Sequence, residues 1–123
     1  MTCHTEIHVG DIGTLYHVEI LDSGTPFDPS AATVTELIFK MPNGVILRKT
    51  ATVTTEGSPA DRWFLDYEVM PGDGIGSPGE FHDNEGVLQV QAFLEWGDGT
   101  QWHSDIVETD TDGQELRIFP NLD

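Results

Sequence analysis

Five histidines are the residues of this chain best suited to metal binding or proton transfer: His4, His8, His17, His82 and His103. None of them belongs to an HExxH pair or to another close ligand pattern. The four-residue spacing of His4 and His8 would hold the two rings ~13 Å apart in an extended segment. We therefore predict no zinc site and interpret these histidines as surface or half-buried side chains.

The acidic segment 108–113, Glu-Thr-Asp-Thr-Asp-Gly, has the composition of the start of an EF-hand calcium loop. Such a loop needs a bidentate Glu at its twelfth position, where this chain has Phe119, and no helix is predicted on either side. The match fails, so an exposed turn is the main interpretation and a looser calcium site of loop carboxylates is the alternative. We predict no metal and no cofactor.

No catalytic constellation is evident. The chain has 22 acidic residues, which always offer carboxylate pairs, but no pair is singled out by its position. Cys3 is the only cysteine, so no internal disulfide can form. We assign no catalytic residue and predict that the chain is not an enzyme.

Trp96 is the aromatic residue with the clearest alternative role, because it lies at the mouth of a predicted hairpin. An exposed ring at that position could stack on a sugar, as in carbohydrate-binding modules. A tryptophan that covers the end of the core is the competing interpretation. Trp63 and Trp102 fall on predicted inward faces, which favours core packing for both.

Two hairpin signals set the predicted fold. Asn43-Gly44 separates the apolar runs 37–41 and 45–53, and Gly97-Asp98-Gly99 separates runs 86–96 and 101–108. Asn-Gly between apolar runs is a strong hairpin signal, since both central residues of the turn need positive φ. No helical period of sufficient length is present. Seven to eight short strands predict one antiparallel β-sandwich domain over residues 1–123.

Alternation of apolar and polar residues predicts which side chains form the core. The residues expected inside are Trp63, Leu65, Tyr67, Leu88, Val90, Leu94, Trp102 and Ile106. Phe64 is the exception to the pattern, since alternation directs it outward. Residues 70–86 lack periodicity and are rich in glycine, which predicts a long loop or insertion.

The charge of the chain limits its partners. The formal net charge is −17, which disfavours direct binding of nucleic acid. Residues 1–60 carry 7 acidic and 3 basic residues, whereas residues 61–123 carry 15 and 2. The acidic excess either keeps the protein soluble or docks a basic partner. No signal peptide and no membrane-spanning run is predicted, so we expect no membrane association.

Several motifs occur in a recognisable order. They are Gly10-Asp11-Ile12-Gly13-Thr14, the segment 37–44 that ends in Pro-Asn-Gly, the segment 87–100 that ends in Trp-Gly-Asp-Gly-Thr, and the segment 102–108. This order resembles the N-terminal immunoglobulin-like β-sandwich of tailed-phage baseplate upper proteins and related small phage structural proteins. Residues 70–86 read as an insertion relative to that pattern.

The resemblance implies an immunoglobulin-like fold and a structural role in a virion. The chain would be an adaptor or decoration protein in the tail, baseplate or capsid surface, made in the host cytoplasm. Its partners would be other virion proteins and copies of itself. A carbohydrate- or host-surface-binding module is the alternative function.

Four residues are predicted to bind a partner. Ile7 and Val9 lie in a short apolar segment of the less acidic half, which could add as a strand to a neighbour's sheet. Ile75 and Phe81 are apolar residues within the predicted loop, where a free solvated chain would leave them exposed. We expect a partner subunit to cover them.

Overall fold

The computed structural model describes residues 7–8, 13–42, 44–70, 86–104, 106–107 and 117–119. These ranges contain strands and turns but no helix, and therefore no helix that could cross a membrane. The strands are β1 (Ile7–His8), β2 (Leu15–Glu19), β3 (Leu21–Asp22), β4 (Thr25–Pro26), β5 (Val34–Lys40), β6 (Ile46–Thr50), β7 (Thr52–Glu56), β8 (Arg62–Glu68), β9 (Gly86–Val87), β10 (Gln89–Glu95), β11 (Gln101–His103) and β12 (Arg117–Phe119).

Two principal sheets pack face to face. Among the described strands, sheet I has the order β11-β10-β5-β6 and sheet II the order β2-β8-β7, and all their pairings are antiparallel. Two smaller groups, β1-β12-β9 and the β3-β4 hairpin, accompany them. The prediction of an all-β antiparallel sandwich is confirmed. Both predicted hairpins are present as well, with Gly44 and Gly99 at positive φ.

The core fills the space between the two sheets. Leu37 and Phe39 from β5 and Leu94 from β10 pack in one core with Leu65 from β8 and Ile20, which directly follows β2, and all five are fully buried. Burial of one such side chain contributes about 1.5–3 kcal/mol. The predictions for Leu65, Leu88, Val90 and Leu94 are confirmed, whereas Tyr67 and Trp102 are only partly buried at the margin of this core.

A single extended run forms an edge of both sheets. β6 is the last strand of sheet I and β7 the last strand of sheet II, and only Ala51 separates them. Ala51 is buried, its N–H donates to the carbonyl of Thr35 at 2.9 Å, and the Thr35 hydroxyl donates to its carbonyl at 2.7 Å. The chain therefore passes from one sheet to the other at a point held by Thr35.

The prediction that Ile106 is buried is wrong. The β10-β11 ladder pairs Phe93 with His103, and an unbroken register would set Val90 opposite Ile106. Val90 instead pairs with Val107, through backbone hydrogen bonds of 2.9 and 2.7 Å. One extra residue on this strand is a β-bulge, which exchanges the two faces of the strand. Val107 thus packs on the core and Ile106 is 55% exposed.

The predicted burial of Trp63 is also wrong, since this side chain is only half-buried. Its neighbour Phe64 is 4% exposed, although it lies on the outer face of sheet II as alternation predicts. Phe64 is buried there because other side chains of that face cover it. The predicted loop at 70–86 falls mostly on residues 71–85, which lie outside the described residues.

Candidate functional site

A cluster of polar side chains surrounds His17 on the outer face of sheet II. The register of β2, β8 and β7 places His17 beside Asp66 and brings Thr54 and Glu56 to the same face. His17 Nδ1 contacts the Asp66 carboxylate, whose second oxygen accepts a hydrogen bond from the Thr54 hydroxyl at 3.1 Å. His17 Nε2 lies 3.9 Å from a Glu56 oxygen. Both ring nitrogens therefore face carboxylates.

Arg62 completes this cluster at the other end of β8. Its guanidinium binds Glu19 through two hydrogen bonds of 2.9 and 2.8 Å, contacts Glu56 at 3.1 Å, and lies 5.1 Å from the centre of the Phe64 ring. The hydrogen bond from Arg62 holds the pKa of Glu19 below its usual range, and the same pair raises the pKa of Arg62 further.

The contacts of His17 distinguish a catalytic role for the cluster from a structural one. An Asp–His pair is a component of many hydrolases, where it activates a serine or cysteine nucleophile. Among the described residues, the side chains in contact with His17 are instead two carboxylates and the Phe64 ring. The hydrogen bonds of the cluster each join β8 to β2 or to β7, and the contact between His17 and Glu56 links β2 to β7 across β8. We therefore assign the cluster a structural role, as a clamp across β2, β8 and β7.

A shallow groove of about 140 Å³ lies on the outer face of sheet I. Its lining residues are Ile38, Lys40, Ile46, Gln89, Val90, Gln91 and Ile106. Ile46 is 61% exposed, which makes it the most exposed large apolar side chain of the described residues. Lys40 takes part in none of the ion pairs that the described residues form. The groove thus combines apolar walls with a cation.

The strand register explains this composition. Ile38 lies opposite Gln91, and Lys40 lies between Gln89 of β10 and Ile46 of β6. These positions alternate with the buried positions Leu37 and Phe39, so they point to the outer face. The shifted pairing of Val107 with Val90 then directs Ile106 to the same face. Three isoleucines from three separate segments meet there.

The neighbouring part of this face is closed by its own side chains. The Arg48 guanidinium lies 4.6 Å from the centre of the Phe93 ring and donates a hydrogen bond to the Glu36 carboxylate at 3.1 Å. His103 contacts Phe93 from β11, with 4.9 Å between the ring centres. Phe93 is 6% exposed as a result. The apolar surface left open on this face is the groove.

The groove reaches β6, the last described strand of sheet I. Hydrogen bonds from the N–H of Ala51 to Thr35 and from the N–H of Met41 to Val45 fix which β6 residues face β5. In an antiparallel ladder these residues alternate with residues whose backbone groups point away. The backbone groups of Ile46, Arg48 and Thr50 therefore point outward from the last described strand of sheet I.

Of the four predicted partner-binding residues, only Ile7 lies within the part of the chain that the structure describes. Ile7 lies in β1 and pairs in parallel with Ile118 of the same chain, so its addition to a neighbour's sheet stays a prediction. Val9, Ile75 and Phe81 lie outside the described residues. Trp96, the candidate for sugar stacking, is partly buried and packs against the core.

Sequence reasoning missed the groove, although a signal for it was present. Residues 37–55 contain Lys40, Arg48 and Lys49 and no Asp or Glu, within a chain of net charge −17. Lys40 is the basic residue of this segment that lines the groove. The outward isoleucines of that segment were visible too, but alternation alone does not tell which outward residues stay uncovered.

No protein-family model, curated protein or solved structure matches this chain. Of the surfaces on the described residues, the His17 cluster is satisfied internally. The groove on sheet I presents to solvent apolar side chains and Lys40, which has no ion pair with another described residue.

Proposed function

We propose that this chain is an adaptor or decoration β-sandwich that binds another protein through the groove on sheet I. The observation that carries the proposal is the exposure of Ile46 and Ile106 beside Lys40, at the last described strand of sheet I. Contiguous exposed apolar side chains with a polar rim are typical of protein-binding surfaces. Outward backbone groups on β6 add the means to pair with a strand.

The particle that we propose is a phage virion, in its tail, baseplate or capsid surface. The order of motifs described above supports this setting, because it resembles that of small phage structural proteins. An acidic β-sandwich that works by contact rather than chemistry agrees with such a role. The carbohydrate-binding alternative depends on an exposed Trp96 ring, and the packing of Trp96 on the core does not favour it.

Two measurements test this proposal. Mass spectrometry of gradient-purified phage particles from cells that produce the chain should detect it as a stoichiometric component. Ile46→Asp should reduce its incorporation, because a carboxylate would enter the apolar groove. Met70→Asp is the matched control, since Met70 is 56% exposed but follows β8 of the other sheet. Absence from the particles would refute the virion role, and equal incorporation of both variants would refute the groove as the contact.

A further inference from the structure

The His17 cluster on the outer face of sheet II contains a row of charged groups. Each member contacts the next, in the order Asp66, His17, Glu56, Arg62 and Glu19. The row crosses all three strands of the sheet, since these residues come from β8, β2, β7, β8 and β2. Negative and positive charges alternate along the row only if the ring of His17 is protonated. With a neutral ring, Asp66 and Glu56 have no cation between them.

The two nitrogens of His17 have different partners, which decides where a proton is gained or lost. An ionised carboxylate can only accept hydrogen bonds, and Asp66 accepts one from the Thr54 hydroxyl while its other oxygen contacts Nδ1. Nδ1 therefore carries a hydrogen. In a neutral ring Nε2 would then have a lone pair directed at the Glu56 oxygen 3.9 Å away. Only the doubly protonated ring presents a hydrogen to both carboxylates.

The other charged groups on this face favour a proton on His17. Among the described residues, those that face the ring are Glu19 on its own strand, Asp66, Arg62 and Glu68 on β8, and Glu56 on β7. Arg62 is the fixed cation of this set, and it already donates to Glu19 and Glu56. The pKa of Glu19 is lowered mainly by the hydrogen bond from Arg62 and further by the charge of a protonated His17. Four carboxylates thus share one fixed cation, and His17 can supply a second.

We propose that His17 is a proton-dependent clamp, which holds β7 in sheet II more strongly at mildly acidic pH than at alkaline pH. When Nε2 carries a proton, the ring links β2 to Glu56 at the C-terminal end of β7, the last described strand of this sheet. Loss of that proton removes the link and sets a lone pair against a carboxylate. The contribution of the link to stability is thus present while the ring is charged and is lost as the pH rises through its titration. The clamp does not involve the groove on sheet I.

Urea denaturation of wild type and His17→Gln at two pH values tests the clamp. Histidine ordinarily titrates at about pH 6.5, so about pH 5.5 and about pH 8 favour the charged and the neutral ring. His17→Gln should raise the equilibrium constant for unfolding about two- to fivefold more at the acidic pH, as for partly exposed ion pairs. Equal destabilisation at both pH values would mean that the ring only covers Phe64, and would overturn the proposal.

His103→Gln is the matched control for this comparison. His103 contacts the Phe93 ring on sheet I and forms no ion pair with another described residue. Its replacement should therefore change the unfolding constant by the same factor at both pH values. A pH dependence as large as that of His17→Gln would show that the response does not come from the carboxylates around His17.

A double-mutant cycle assigns the response to the contact with Glu56. Glu56→Gln keeps the size of an exposed side chain but removes the charge that faces Nε2. The coupling between His17→Gln and Glu56→Gln should be about two- to fivefold in the unfolding constant at about pH 5.5 and should vanish at about pH 8. Circular dichroism at both pH values shows that each variant is folded. No coupling at the acidic pH, or an equal coupling at both, would refute the clamp.

Discussion

The imidazole of His17 lies almost flat on the phenyl ring of Phe64, with 3.9 Å between the ring centres and 16° between the ring planes. The two residues come from the neighbouring strands β2 and β8. Together with Arg62 on the same face, the imidazole covers a phenyl ring that strand alternation directs toward solvent. Phe64 is thus a buried apolar residue outside the main core of the sandwich.

Truncation of Phe64 should therefore cost more stability than truncation of its larger neighbour Trp63. Phe64→Ala is expected to lower the free energy of unfolding by about 3 kcal/mol or more, as for buried aromatic residues. Phe64→Leu should cost about 0.5–1.5 kcal/mol, because it keeps most of the apolar contact but loses the ring pair. Urea denaturation at neutral pH measures the free energy of unfolding of Phe64→Ala, Phe64→Leu and Trp63→Ala. A larger loss for Trp63→Ala than for Phe64→Ala would contradict the burial described above.

Local turn chemistry made much of this fold predictable. Gly44 and Gly99 occupy left-handed turn positions, and each turn fixes the register of the strands on either side. The inward positions of Leu37, Phe39 and Leu94 then follow from alternation alone. An all-β sandwich could be inferred because the turns and the alternation agree throughout the two sheets.

The wrong predictions concern residues whose burial depends on segments distant in the sequence. Ile106 was assigned to the core because its strand was read as continuous, and a one-residue bulge leaves no clear mark in the sequence. Phe64 was expected to be exposed because alternation gives the face of a residue but not what covers it. The groove was missed for the same reason, since its three isoleucines come from separate segments.

The ion pair between Glu19 and Arg62 should give the stability a specific dependence on pH. Glu19→Gln is expected to lower the free energy of unfolding by about 0.2–1 kcal/mol at neutral pH, as for partly exposed ion pairs. The hydrogen bond from Arg62 lowers the pKa of Glu19 from its ordinary value of 4.5. The contribution of the carboxylate is thus complete above pH 4.5 and is lost as the pH falls through the lowered pKa of the folded state.

Urea denaturation of wild type and Glu19→Gln across the acid range checks this expectation. The difference between the two proteins should shrink as the pH falls below 4.5. Glu68→Gln is a suitable control, because Glu68 is an exposed carboxylate of the same strand as Arg62. A constant difference for Glu19→Gln over the whole range would contradict the role of this pair.

Gly86 is expected to tolerate no side chain. Its φ is +132°, and a Cβ added there would lie 2.8 Å from the Cβ of Pro42. Gly86→Ala should therefore destabilise the fold by about 1–3 kcal/mol, the range for strained backbone conformations. Gly97→Ala is the control, since its Cβ would meet only Thr33 at 3.8 Å. Thermal melting of the two variants compares them, and equal midpoints would contradict the close approach to Pro42.

Deletion of residues 75–82 tests the predicted role of Ile75 and Phe81. If a partner covers these side chains, the shortened chain should fold with an unchanged far-ultraviolet circular dichroism spectrum but should not join particles. Loss of folding would assign the segment to the domain's own core. Normal incorporation would show that the contact lies elsewhere, for example in the groove on sheet I.

Because the chain passes directly from β6 to β7 through Ala51, the opening of one edge strand should depend on the opening of the other. Edge strands of a sandwich ordinarily open one at a time, so their amides exchange with solvent in separate events. Here β6 and β7 are continuous, and Thr35 forms hydrogen bonds with both backbone groups of Ala51, the residue between them. Complete separation of either strand from its sheet therefore requires the two hydrogen bonds between Thr35 and Ala51 to break. The slowly exchanging amides of β6 and β7 should therefore share one opening rate. The contact between Thr35 and Ala51 would then limit how easily these edge strands separate from the sandwich.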